Sequence, residues 1–121
     1  MNRRVSLLLV SLQLLALLIG TQMPGAWRAE GLQLLQAPSY ASSLAHFVLF
    51  AGMAMVLAIR PISWPVMRIL ATALALALLT EAFQFFATDR HPRVVDVGID
   101  LVGTVAGLVL VKLGSVFAGS R

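Results

Sequence analysis

The sequence predicts an all-α integral membrane protein, a bundle of four transmembrane helices with both termini in the cytoplasm. Of its 121 residues, 60% are apolar and only 12% are charged, whereas a soluble domain carries about a quarter charged residues. A chain of this length cannot hide so much apolar surface inside itself, so lipid is its natural solvent. The apolar residues fall into four long stretches, and these must be helices because open strands would leave backbone groups unpaired in lipid.

The predicted spans are bounded by proline and by charge. Arg60 and Pro61 end the second span, because proline cannot continue a helix interior. A tight charged turn at 87–93 separates the third span from the fourth. The four predicted helices, within one domain of residues 1–121, cover residues 5–20, 40–59, 66–86 and 94–117.

The first span also resembles a secretory signal peptide, because a basic pair precedes its leucine-rich stretch. Pro24 stands where a cleavage site needs a small residue, so we expect this span to remain as an uncleaved anchor. In the polar stretch 21–39 and just after it, Trp27 and Tyr40 are expected at the membrane interface. A short helix lying flat on the membrane there would present Leu32, Leu34 and Leu35.

Basic residues determine the predicted orientation. They stand singly or in pairs at the ends of apolar segments, without the run or stripe that is typical of nucleic-acid binding, so no nucleic acid is expected as a partner. The larger group is assigned to the cytoplasm together with both termini, which places the turn at 87–93 outside. The larger group comprises Arg3, Arg4, Arg60, Arg68, Lys112 and Arg121, and the smaller group comprises Arg28, Arg90 and Arg93.

Polar side chains interrupt the predicted spans near their outer ends. Ionisable groups inside a membrane are costly, and they usually face a bundle interior or a water-filled cavity. Glu81 and Asp100 should lie roughly 7 to 10 Å below the outer ends of their helices, and His46 lies near the outer start of the second span. We therefore predict one outer-leaflet polar site. Its candidate ligand-binding residues are His46, Glu81, Gln84, Arg90, Arg93, Asp96 and Asp100.

Two acids share a helix face with two glycines. Asp96 and Asp100 are spaced i, i+4, and Gly103 and Gly107 continue the same stripe. The glycines form a GxxxG pattern, which allows close contact between membrane helices. We expect this face to pack on a neighbouring helix and to bury Asp100 against the helix at 66–86.

A purely structural interpretation of the polar cluster stays open. Arg90 and Arg93 could neutralise nearby carboxylates and hold the outer hairpin together without binding any ligand. Buried ion pairs of this kind often specify geometry more than they stabilise a fold.

Several kinds of chemistry are excluded or unsupported. The chain has no cysteine, which excludes disulfides, thiolate metal sites and cysteine nucleophiles. No HExxH motif, P-loop or Gly-x-Ser-x-Gly motif occurs in the sequence. The missing motifs count against an enzyme. We expect no metal and no cofactor.

The polar residues and their spacing resemble the VanZ-like family. That family's pattern is a Glu-x-x-Gln pair ending one membrane helix, an Arg in the next turn, an Asp, and a Gly-x-x-x-Gly run, with a His-Phe pair opening the preceding helix. Two positions depart from it: Ser42-Ser43 stand where the family often has Asp-Lys, and Asp100 stands where it has Asn. The matching positions, within residues 40–110, are His46, Phe47, Glu81, Gln84, Arg90, Asp96, Gly103 and Gly107.

The resemblance implies a multi-pass protein of the bacterial cytoplasmic (inner) membrane. It also implies a cell-envelope factor rather than a known enzyme. The family's namesake is associated with reduced susceptibility to the glycopeptide teicoplanin, so teicoplanin resistance is an implication at the level of the family.

Three functions fit the sequence. The main hypothesis is an envelope factor that binds an amphiphile (a membrane lipid headgroup, a lipid-linked cell-wall precursor or a lipoglycopeptide), with Arg90 and Arg93 pairing with its phosphate or carboxylate. One alternative is an accessory subunit of a larger complex, whose GxxxG stripe would contact another membrane protein. The other is a small membrane enzyme acting on an envelope lipid, in which His46, Glu81 and an aspartate serve as acid, base and electrostatic partners, or bind a divalent ion.

Overall fold

The computed structural model describes residues 2–22, 25–36, 41–60, 62–84 and 94–119, and within these ranges it contains helices, turns and short connections but no strand. This confirms the predicted all-α class. The helices are α1 (Arg3–Gln22), α2 (Gly25–Leu34), α3 (Ala41–Ala58), α4 (Val66–Gln84) and α5 (Val94–Gly119).

Four of these helices correspond to the predicted spans, and each of their ends lies within two residues of its predicted position. By length and composition, α1, α4 and α5 each contain a segment that can cross a membrane, at 3–20, 66–83 and 95–117. The apolar segment of α3 is shorter, at 43–58. The 18 residues of α3 nevertheless rise about 27 Å, which is close to the hydrocarbon thickness of a bilayer.

The remaining helix, α2, lies in the polar stretch between the first two spans. A short helix was expected around its leucines, and Leu34 is its last residue. Leu34 and the following Leu35 are both highly exposed, as expected for side chains that would contact the membrane surface. Two groups were predicted at the membrane interface. The side chain of Trp27 and the whole of Tyr40 both lie outside the part of the chain that the structure describes.

The outward faces of the spans are strongly apolar. Large side chains such as Leu8, Leu12, Met67 and Val102 are exposed on the isolated chain. A water-soluble monomer seldom exposes a continuous apolar surface of this extent. Lipid tails are therefore the solvent that these faces require.

The interior of the bundle is built around α3. This helix packs most extensively against α5 and also contacts α1 and α4. Alanines on the inner face of α4 leave room for larger side chains such as Phe50 of α3. The core forms two layers, one of Leu17, Phe50, Ala73 and Ala77 and the other of Met53, Ala54, Leu57 and Ile69.

One end of the bundle gathers basic residues. Arg3 of α1 and Arg68 of α4 line the same groove, and Arg60 lines a second groove together with the C-terminal part of α5. Lys112 is exposed on that part of α5. These residues were all assigned to one face from the sequence, and the assignment of that face to the cytoplasm stays a prediction. Arg121 lies outside the described residues.

Candidate functional site

A hydrogen bond joins two helices at the other end of the bundle. His46 lies near the start of α3 and Asp100 near the start of α5. Nδ1 of His46 and Oδ1 of Asp100 are 2.9 Å apart. An ionised carboxylate can only accept hydrogen bonds, so with Asp100 ionised it is the His46 Nδ1–H that donates.

Both partners are withdrawn from the surface. Asp100 is 0% exposed and His46 is 8% exposed. The second carboxylate oxygen of Asp100, Oδ2, is buried and has no hydrogen-bond partner among the described residues. A buried polar atom of this kind is uncommon and calls for an explanation.

The two glycines of the GxxxG pattern make this contact possible. A Cβ atom added to Gly103 would lie 2.5 Å from the backbone oxygen of Phe47, and one added to Gly107 would collide with the backbone oxygen of Ala51. Only glycine therefore allows the backbones of α3 and α5 to approach this closely. The short side chain of Asp100 then reaches across to α3.

The predicted neighbour of Asp100 has to be corrected. Its burial was expected and is observed, but its hydrogen-bond partner lies on α3 and not on the helix at 66–86. The glycine stripe likewise meets α3 of the same chain. That stripe is therefore occupied within the bundle, and it no longer favours an accessory subunit docked through it.

Two further carboxylates lie near this pair. Glu81, close to the end of α4, is 8% exposed, and Asp96, in the first turn of α5, is partly exposed. Both lie within electrostatic range of the His46 ring. Ionisable side chains from α3, α4 and α5 thus lie near one another in one layer at this end. Among the described residues, no three His, Asp or Glu side chains form a group suited to a metal ion.

The other predicted site residues cannot be placed relative to this layer. Arg90 and Arg93 lie outside the described residues, and so does the side chain of Gln84, the last residue of α4. Their role in ligand binding stays a prediction.

Two buried threonines were not singled out from the sequence. Thr104 Oγ1 donates to the backbone oxygen of Asp100 at 2.9 Å, and Thr80 Oγ1 donates to the backbone oxygen of Ala77 at 3.0 Å. Because each hydroxyl donates to a backbone oxygen of its own helix, it can be buried in the membrane without leaving its donor unpaired. The bond of Thr104 could have been predicted from the sequence, because Thr104 follows Asp100 by four residues.

The fold and the site together define a small multi-pass membrane protein with a buried His–Asp pair at one end of its helical bundle. The family model described as VanZ/LLP1 matches residues 2–116, so the chain belongs to the VanZ/LLP1 family. This confirms the resemblance drawn from the motifs, and the match extends beyond residues 40–110 to include α1. The chain is therefore a VanZ-like membrane protein of the cell envelope. No curated protein and no solved structure matches it.

Proposed function

We propose that this protein is an envelope factor of the bacterial inner membrane that binds the headgroup of an amphiphile in the outer leaflet. The observation that carries the proposal is the buried carboxylate of Asp100. One of its oxygens accepts a hydrogen bond from His46, while the other has no partner among the described residues. A ligand that brings an N–H or O–H donor would complete the hydrogen bonding of this group.

The arrangement of acids supports a route by which a headgroup reaches the pair. Asp96 lies one helical turn, about 6 Å, nearer the start of α5 than Asp100, and it is partly exposed. A ligand with an ammonium or hydroxyl group would first meet Asp96 and then the layer that holds Glu81 and the His46–Asp100 pair. Ionisable side chains at such a depth within a membrane are costly, and they usually mark a ligand or ion pathway.

The charges suit a ligand that carries both an anionic group and hydrogen-bond donors. In the proposed site, Arg90 and Arg93, which lie between α4 and α5 in the sequence, pair with a phosphate or carboxylate, because guanidinium groups bind such groups bidentately. The carboxylates bind the donors. Lipid headgroups, lipid-linked cell-wall precursors and lipoglycopeptides all combine these features. Binding one of the last two would account for a role in glycopeptide susceptibility.

The test is identification of the lipids that co-purify with the full chain, by mass spectrometry, compared with the lipid composition of the source membrane. We expect one class to be enriched on the wild type and lost in Arg90→Ala and Glu81→Gln. Asp100→Asn is expected to keep the folding yield but to change which class is enriched. Glu30→Gln is the matched control, because Glu30 is an exposed carboxylate on α2.

Two results would contradict the proposal. One is a wild-type protein that retains lipids in the proportions of the membrane, combined with no change in teicoplanin susceptibility for Arg90→Ala. The other is an equal loss of enriched lipid in Glu30→Gln, which would indicate a general charge effect. If Asp100→Asn and Glu81→Gln lowered only the yield of folded protein, the cluster would be structural.

A further inference from the structure

A second polar region lies at the end of the bundle opposite the His46–Asp100 pair. It is an open groove of about 460 Å³, lined by Arg3, Trp64 and Arg68 at its polar side and by Leu7, Val10 and Leu57 at its apolar side. This volume falls within the range of small-molecule sites in proteins. None of the described residues that line the groove is acidic, so the charge of its side chains is positive.

The backbone around Trp64 is held firmly in place. Its N–H donates to the carbonyl oxygen of Leu57 at 2.8 Å, and the N–H of Ser63 donates to that of Ile59 at 2.9 Å. Ser63 adopts a left-handed conformation with a φ of 49°, which turns the chain back onto α3. The Trp64 side chain packs on the core layer that contains Leu57 and Ile69.

The aromatic ring of Trp64 in turn orients Arg68. The guanidinium carbon of Arg68 lies 4.1 Å from the centre of that ring, a cation–π contact. Stacking covers one face of the planar guanidinium and leaves its N–H edges available for a bidentate anion. A side chain that is already ordered loses less entropy on binding.

Two helix N-termini add to the positive potential of the groove. α1 begins at Arg3, where the Asn2 side-chain oxygen accepts a hydrogen bond from the Val5 N–H at 2.9 Å. α4 begins at Val66, between Trp64 and Arg68. The N-terminal end of a helix carries a partial positive charge, so two guanidinium groups and two helix ends surround one space.

We propose that this groove binds the phosphate of an anionic phospholipid from the leaflet at the basic end, with an acyl chain lying along Leu7 and Val10. Arg3 and Arg68 hold the phosphate, and Trp64 marks the depth of the interface. The apolar side distinguishes a lipid from a soluble phosphate, which would leave it uncovered. The site is distinct from the outer polar site, because it lies at the opposite end of the bundle and no acidic residue is among its described lining residues.

The test is a native mass spectrometry titration of the purified full chain in detergent. Phosphatidylglycerol is compared with phosphatidylcholine of the same acyl chains, and glycerol phosphate serves as a soluble competitor. We expect selective binding of phosphatidylglycerol that glycerol phosphate does not displace. Arg3→Gln and Arg68→Gln should each weaken it about tenfold, and Arg68→Lys should fall between wild type and Arg68→Gln, because lysine keeps the charge but loses the stacked, bidentate geometry.

Arg4→Gln is the matched control, since Arg4 is exposed at the same end but does not line the groove. Helical content and monodispersity, measured for every variant, separate misfolding from lost binding. Three results would each overturn the proposal: equal binding of phosphatidylcholine, displacement by glycerol phosphate, or an Arg4→Gln variant as weak as Arg3→Gln. The outer-site variant Glu81→Gln is expected to bind phosphatidylglycerol normally, so the two sites can fail independently.

Discussion

Asp100 illustrates how a single side chain can be expensive in lipid and still be retained. Placing a carboxylate in a membrane helix is unfavourable, and a hydrogen bond between membrane helices contributes only about 0.6 kcal/mol on average and about 1.7 kcal/mol at most. The bond to His46 therefore offsets only part of the cost of burying Asp100. Stability alone is a poor reason for this residue, which supports the proposal that it binds a ligand.

The energy of the pair can be measured by a double-mutant cycle with His46→Ala, Asp100→Ala and the combined variant. We expect a coupling energy of about 0.6 to 1.7 kcal/mol, because each single variant already removes the hydrogen bond. The free energy of unfolding is measured in mixed micelles, with circular dichroism as the readout. Ser11→Ala is the control, because the Ser11 hydroxyl is exposed and bonds only within its own helix. A coupling energy of zero would mean that the pair does not form in the folded protein.

Among the helices, the contact between α3 and α5 positions the candidate site. Glycine at 103 and 107 brings their backbones together, and the hydrogen bond between His46 and Asp100 lies at the start of the same interface. Any change that pushes α5 away from α3 should therefore loosen the pair as well. On α5, the two glycines set the distance to α3. The hydrogen bond between His46 and Asp100 depends on that short distance.

We predict that Gly107→Ala destabilises the bundle by about 1 to 3 kcal/mol, as expected for overpacking a close contact. Gly103→Ala should behave in the same way. Gly98→Ala and Gly114→Ala are matched controls on the same helix, since a Cβ there meets nothing within 4 Å. They should be neutral, or stabilising by up to about 1 kcal/mol because alanine favours helix. The measurement is the free energy of unfolding in mixed micelles. Equal values for the two pairs of variants would contradict the close packing of α3 on α5.

Across the bundle as a whole, charge is divided between the two ends. Arg3, Arg60 and Arg68 lie at one end, and the layer containing Asp100 lies at the other. This division agrees with the rule that basic residues concentrate on the cytoplasmic side of a membrane protein. The two proposed sites would then face opposite leaflets, and only the outer one would add carboxylates that bind hydrogen-bond donors of the ligand.

The orientation can be tested with cysteines, because the chain has none of its own. Gln33→Cys on α2 and Ser63→Cys between α3 and α4 both replace exposed, uncharged residues. They leave the charge distribution that directs insertion unchanged. We expect a membrane-impermeant maleimide to label Gln33→Cys in intact cells and Ser63→Cys only after the membrane is opened. Labelling of Ser63→Cys in intact cells would reverse the predicted orientation.

The number of spans and their boundaries could be predicted from local sequence, because hydropathy and proline act on the stretch of chain that contains them. Pro61 and the charged turn at 87–93 separated the helices, and the described helix ends agree within two residues. The placement of His46, Glu81 and Asp100 near the same end of their helices followed in the same way, since the rise per residue of a helix is constant. The motif that they form was sufficient to indicate the family.

The choice of neighbours required the packed bundle. Helical periodicity shows that Asp100, Gly103 and Gly107 share a face, but it does not show which helix that face meets. The expected partner at 66–86 was therefore wrong, and α3 takes that position. The groove of Arg3, Trp64 and Arg68 was invisible for the same reason: it joins the starts of α1 and α4, which are far apart in sequence. Contacts between distant segments depend on how all helices fill the interior together. A local sequence pattern therefore does not predict which helix a given face will meet.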